Sequence, residues 1–83
     1  MAYKINYKSS VERDLKKIDK SQLKTIFEKI ETELAKNPNR FPALTGKFSG
    51  LRKFRIGDYR VIYSILDDSV LVLRIAHRKE AYR

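Results

Sequence analysis

The chain contains no cysteine. That excludes a disulfide scaffold, a thiol nucleophile and cysteine-ligated zinc. There is a single histidine, His77, with no acidic cluster beside it, which leaves little to hold a transition metal. No apolar run is long enough to cross a bilayer. Met1-Ala2-Tyr3-Lys4 leads straight into alternating residues with no apolar leader, so the expectation is a cytoplasmic protein with no membrane partner. Repeats, low-complexity segments and Gly/Ser linkers are missing too, and 83 residues then make one domain, 1–83. Acid is scarce. Ten Asp and Glu stand against 19 Lys and Arg, a formal charge of +9. On so small a chain this is the footprint of a polyanion binder, or else a basic surface with no specific partner.

The first segment, AYKINYK, alternates: Tyr3, Ile5 and Tyr7 point one way, Lys4, Asn6 and Lys8 the other. That pattern predicts a half-buried strand. Ser9 and Ser10 are N-cap candidates for a short helix carrying Val11, Leu15 and Ile18. Asp19-Lys20-Ser21 breaks it. A longer helix is expected from about Ser21 to Lys36, with Leu23, Ile26, Phe27, Ile30 and Leu34 on one stripe. Asn37-Pro38 ends that helix, and the short connection pairs the two helices as a hairpin. Residues 37–50 read as irregular, anchored by Phe41 and Leu44. Three strands follow, at about 51–56, 59–66 and 70–77. The order is β-α-α-β-β-β: an α+β domain with a helical hairpin on one face of an antiparallel sheet.

Gly57-Asp58 suits a two-residue type II′ hairpin, which sets Ile56 opposite Tyr59, Arg55 opposite Arg60 and Phe54 opposite Val61. Alternation then puts Lys53, Arg55 and Arg60 on one face and Phe54, Ile56, Tyr59, Val61, Tyr63 and Ile65 on the other. For the second turn, a three-residue loop Asp67-Asp68-Ser69 brings Leu71, Leu73 and Ile75 to the apolar face. Burying large aliphatics is worth roughly 1.5–3 kcal/mol each, which favours that loop over a loop of two or four residues. The cationic face then gains Arg74 and, if the strand continues, Arg78. Like charges directly opposite on a sheet destabilise it, so Arg across from Arg points to a bound anion, against the plainer reading of a solvated basic face.

With "LRKFRIGDYRVIY" (residues 51–63) and "HRKEAY" (77–82) in this strand order, nearly the whole chain resembles the RelE/ParE toxin superfamily of bacterial and archaeal toxin–antitoxin pairs. The second motif resembles its RNA-cleaving branch. That resemblance implies a RelE-like fold and a messenger-RNA interferase that enters the ribosomal A site and cuts the codon there. It also implies a cognate antitoxin, which wraps the toxin as a small, partly disordered protein. The implied cleavage uses no metal or other cofactor: a 2′-hydroxyl attacks the adjacent phosphate and the 5′-oxygen leaves. By position the family's site residues correspond to Lys53, Arg55, Arg60, Arg78 and Tyr82, and His77 falls where related toxins often carry histidine. Two departures bear on geometry: the Gly57-Asp58 hairpin is tighter than in some relatives, and some members carry a helix after the tyrosine whereas this sequence runs to Arg83.

The residue types suit that chemistry. In-line attack builds charge on the non-bridging oxygens, and preorganised guanidinium forks stabilise it. Arg55, Arg60 and Arg78 fit this role, with phosphate binding alone as the alternative for Arg60 and, more strongly, for Arg55. An always-charged arginine is a poor base. Lys53, set among cations that disfavour its charged form, is a better one. His77 is its rival as base or acid, since an unperturbed imidazole titrates near neutrality; otherwise it caps the strand end. Tyr82 either stacks on an unpaired base or packs on the core edge. A ParE-like, non-enzymatic inhibitor of DNA gyrase is the competing function.

Overall fold

The computed structural model describes residues 2–44 and 50–77. Strand β1 (Lys4–Tyr7) leads into helix α1 (Ser9–Lys16) and helix α2 (Lys20–Lys29). Strands β2 (Arg52–Ile56), β3 (Tyr59–Leu66) and β4 (Ser69–His77) follow. The α+β order expected from the sequence is the one observed. The sheet order is β1-β4-β3-β2, with β4–β3 and β3–β2 antiparallel. The expectation of an all-antiparallel sheet is corrected at one edge, where β1 runs parallel to β4.

The helix boundaries differ in instructive ways. Lys8, not a serine, occupies the N-cap of α1, with extended backbone and no side-chain cap. Ser9 and Ser10 lie inside the helix, because the Ser10 hydroxyl has another use: it donates to the Leu73 carbonyl at 2.7 Å. The second helix is not one regular rod to Lys36. After Lys29 it widens into a π-helical turn, Ile30–Leu34, closed by the Ala35 N–H on the Ile30 carbonyl at 2.9 Å. A short 3-10 turn, Pro38–Arg40, follows.

One core lies between the helices and one face of the sheet. Val11, Ile18, Ile26, Ile30 and Leu34 meet Phe54, Ile56, Val61, Tyr63, Val70, Val72 and Ile75, all buried. Phe41 packs on Phe54 with ring centroids 4.4 Å apart, so it is an anchor, as expected. Tyr63 is fully buried, and its hydroxyl donates to the Pro38 carbonyl at 2.6 Å. Burial pushes the Tyr63 phenol up from 10.0 to about 12, with Arg52 acting the other way. Arg52 holds the same segment from the strand side, donating to the carbonyls of Asn39 at 3.2 Å and Phe41 at 2.7 Å. The Lys53 N–H bonds the Pro42 carbonyl at 3.1 Å. Residues 38–42 therefore brace the outer edge of β2.

The first hairpin has the register read from the sequence: Ile56 faces Tyr59, Arg55 faces Arg60 and Phe54 faces Val61. Gly57 has φ +59° and Asp58 has no positive φ, the pattern of a type II′ turn. The second hairpin corrects the expectation. Leu66 pairs with Ser69, so the loop is two residues, Asp67-Asp68, with Asp67 at φ 56°. The core is satisfied differently, through a bulge in β4. Tyr63 faces Val72 while Ile62 faces Arg74, leaving Leu73 as the extra residue. Val70 and Val72 before the bulge and Ile75 after it all reach the core. Leu71, opposite Ser64, and the bulged Leu73 are only partly buried, so two of the three aliphatics assigned to the core lie outside it.

Candidate nucleic-acid interface

The face away from the helices carries two cross-strand rows. One is Arg55–Arg60–Ala76, the other Lys53–Ile62–Arg74. Positions two apart on a strand are about 7 Å apart, and neighbouring strands lie just under 5 Å apart. Lys53, Arg55 and Arg60 thus form one compact cationic cluster. Arg55 is exposed; Lys53 and Arg60 are half-buried. Ile62 and Ala76, both buried, give the cluster an apolar floor. Cations held at one side by a strand pair and backed by apolar side chains are more strongly felt by a bound anion than the same cations in water.

Arg74 joins this face by register, as expected, but its fork has a partner. Nε and Nη2 reach the two Asp14 carboxylate oxygens at 3.0 and 3.1 Å. Asp14 is 7% exposed and also accepts the Ile75 N–H at 2.9 Å. The sequence reading missed Asp14. One of two acids in the mixed run ERDLKK, Asp14 leaves no periodic signal, and only the tertiary contact gives it a role.

His77 does not join the cluster. It faces Tyr59 across the β3–β4 pair, which puts it on the helix side of the sheet. The two rings meet edge to face, with centroids 5.5 Å apart. There it lines a cleft with Asp14, Lys17, Ile18, Tyr59, Ile75 and Ala76. Arg78 and Tyr82 lie outside the described residues. Of the six site residues taken from the sequence, the fold therefore brings together Lys53, Arg55 and Arg60 and sets His77 on the opposite face. Among the described residues, no group of His, Asp and Glu is arranged to hold a metal ion. No helix among them is long and apolar enough to cross a membrane.

A four-stranded sheet with two helices on one face and a cationic strand pair on the other has known counterparts. Residues 5–82 match the family described as the ParE toxin of type II toxin–antitoxin systems. Toxin RelG of Mycobacterium tuberculosis is 31% identical over 86 residues, covering 100% of this chain and 99% of the relative. Toxin RelE of the same organism is 32% identical over 84 residues, covering 98% of this chain and 87% of the relative. Among solved structures, the toxin–antitoxin complex RelBE2 from M. tuberculosis contains a chain that superposes with a TM-score of 0.88. That pair is 30% identical, over 94% of this chain and 100% of the other. The chain belongs to the ParE toxin family of type II toxin–antitoxin systems, and its similarity to RelG and RelE makes it a toxin of the RelE kind.

Proposed function

We propose that this toxin is a ribosome-dependent endoribonuclease that cuts messenger RNA in the A site. The carrying observation is the direct pairing of Arg55 with Arg60, with Lys53 two residues along on the same face. Such a pairing costs stability and suits a site that binds a phosphodiester. In this reading the 2′-oxygen of one nucleotide attacks the adjacent phosphorus as its proton leaves. The 5′-oxygen departs and takes up a proton, giving a 2′,3′-cyclic phosphate and a 5′-hydroxyl. Arg55 and Arg60 bind the non-bridging oxygens and stabilise their growing charge. Lys53 takes the 2′-hydroxyl proton. Arg78 adds a third guanidinium, and Tyr82 stacks on a base of the codon. His77 serves the reaction only if the substrate reaches round the end of β4, so Lys53 is the stronger base assignment.

We further infer a cytoplasmic location, where ribosomes are, and neutralisation by a cognate antitoxin. The solved M. tuberculosis relative is a toxin–antitoxin complex, which supports such a partner. The antitoxin would be a partly disordered chain with acidic segments that cover the cationic cluster.

The test is to add the purified chain to translating ribosomes and map messenger ends by primer extension. Cuts within A-site codons are expected, slowed at least a hundredfold by Arg60→Ala. Intact messenger at concentrations that arrest growth refutes the reading. The family match is to ParE, and the resemblance gives ParE-like members an action on DNA gyrase, which is the second reading. Inhibited supercoiling by purified gyrase, with uncut messenger, selects it.

A further inference from the structure

We propose that Asp14 is a positioning residue for RNA cleavage. Its carboxylate holds the register of the last part of β4, the stretch that pairs with Arg60. This inference rests on the proposed nuclease reading.

Strand β1 ends at Tyr7, opposite Val72. Beyond that point, among the described residues, no strand covers the outer edge of β4, and α1 lies there instead. Ser10 and Asp14 are four residues apart and so project from the same helix face. The Ser10 hydroxyl donates to the Leu73 carbonyl at 2.7 Å. Asp14 accepts the Ile75 N–H at 2.9 Å. Two side chains of a helix thereby take the place of a strand. Asp14 also grips the Arg74 guanidinium with both oxygens.

These contacts fall on the bulge, where Val72 faces Tyr63 and Arg74 faces Ile62. A bulge interrupts the ladder. Its effect on side-chain direction is large, because a one-residue slip sends every later side chain to the other face. Continued alternation from Val70 and Val72 would turn Arg74 and Ala76 towards the helices. With the bulge they face away, alongside Lys53, Arg55 and Arg60. A carboxylate at 7% exposure is tolerated only with its donors in place. Only the bulged register supplies the Arg74 fork and the Ile75 N–H together, so Asp14 selects that register.

The experiment compares the full chain with Asp14→Ala and Asp14→Asn, and with Ile30→Val as a core control. Two readouts are taken at a temperature where all are folded: cross-strand amide and Hα contacts by NMR, and kcat and KM for messenger cleavage on ribosomes. In Asp14→Ala the Val61–Ile75 and Arg60–Ala76 contacts should weaken or exchange while Tyr63–Val72 persists. Its kcat should fall roughly ten- to a hundredfold with KM little changed. Asp14→Asn keeps one acceptor for Ile75 and should show a milder form of both effects, which serves if the alanine variant does not fold. Ile30→Val should lose melting temperature and neither register nor kcat. An intact register in the Asp14 variants overturns the proposal, and so does a lost register with unchanged kcat. If the unsubstituted chain cuts no messenger, the nuclease reading and the positioning role fall together, while the NMR contacts alone decide whether Asp14 sets the register.

Discussion

Replacing Arg55 with glutamine should make this protein more stable and worse at its task. Arg55 is exposed and sits directly opposite Arg60. Directly opposed residues have Cβ atoms about 4.5–5.5 Å apart, and cross-strand pairs are worth roughly 0.2–1 kcal/mol in either direction. Glutamine is a shorter, uncharged polar side chain and removes the repulsion. For a domain of this size, each kcal/mol moves the melting temperature by about 4–8 °C, so a rise of about 1–8 °C is expected. The gain should shrink at 1 M salt, where the screening length falls to about 3 Å. Binding should move the other way. Each phosphate contact on a single strand contributes about 0.7 to the slope of log K against log salt, and the variant should lose about that much. Thermal melts at low and high salt, with anisotropy titrations of a labelled single-stranded RNA, measure both. A variant that is no more stable and keeps the salt slope refutes the argument that the pair converges on an anion.

Two further outcomes follow from the fold. Tyr63→Phe leaves the buried Pro38 carbonyl without its donor, a loss of about 1–3 kcal/mol at pH 7. The fold favours the neutral phenol, whose pKa rises from 10.0 to about 12. The stability it adds is therefore complete below about pH 10 and is lost as pH rises through about 12, at up to roughly 1.4 kcal/mol per unit. Urea melts of both proteins from pH 9 to 12 should converge; parallel curves would contradict the burial argument. Gly57→Ala meets no atom within 4 Å, so only its φ of +59° resists the change. A loss of about 1–2 kcal/mol with retained fold is expected from thermal melts, and no loss would remove the type II′ assignment.

The sequence was most legible where local chemistry dictates geometry. Gly57-Asp58 determines its own turn, and alternation on both sides carries the register to Arg55 and Arg60 without tertiary information. The apolar stripe that runs through α2 and the π-helical turn after it likewise announces its buried face, with Ile26, Ile30 and Leu34 fully buried. The second hairpin is not legible in this way, because counting residues assumes an unbroken ladder. A bulge at Leu73 meets the same demand for burial with a shorter loop, and no residue near Leu73 signals it. The parity change also decides His77, which the terminal motif groups with Arg78 but the ladder sets beside Tyr59. Asp14 and Ser10 were obscure for a related reason. Their partners lie about sixty residues away in the chain, on the strand edge that β1 leaves open.

The central claim is that the cationic cluster serves a cut made by a 2′-hydroxyl. The most direct measurement uses ribosomes programmed with two messengers. One is all-ribose; the other carries a 2′-deoxy sugar at the attacking nucleotide of the A-site codon. The first should be cut, leaving a 2′,3′-cyclic phosphate and a 5′-hydroxyl, and the second should stay intact. Equal cutting of both, or cutting of neither by an active toxin, would contradict the claim.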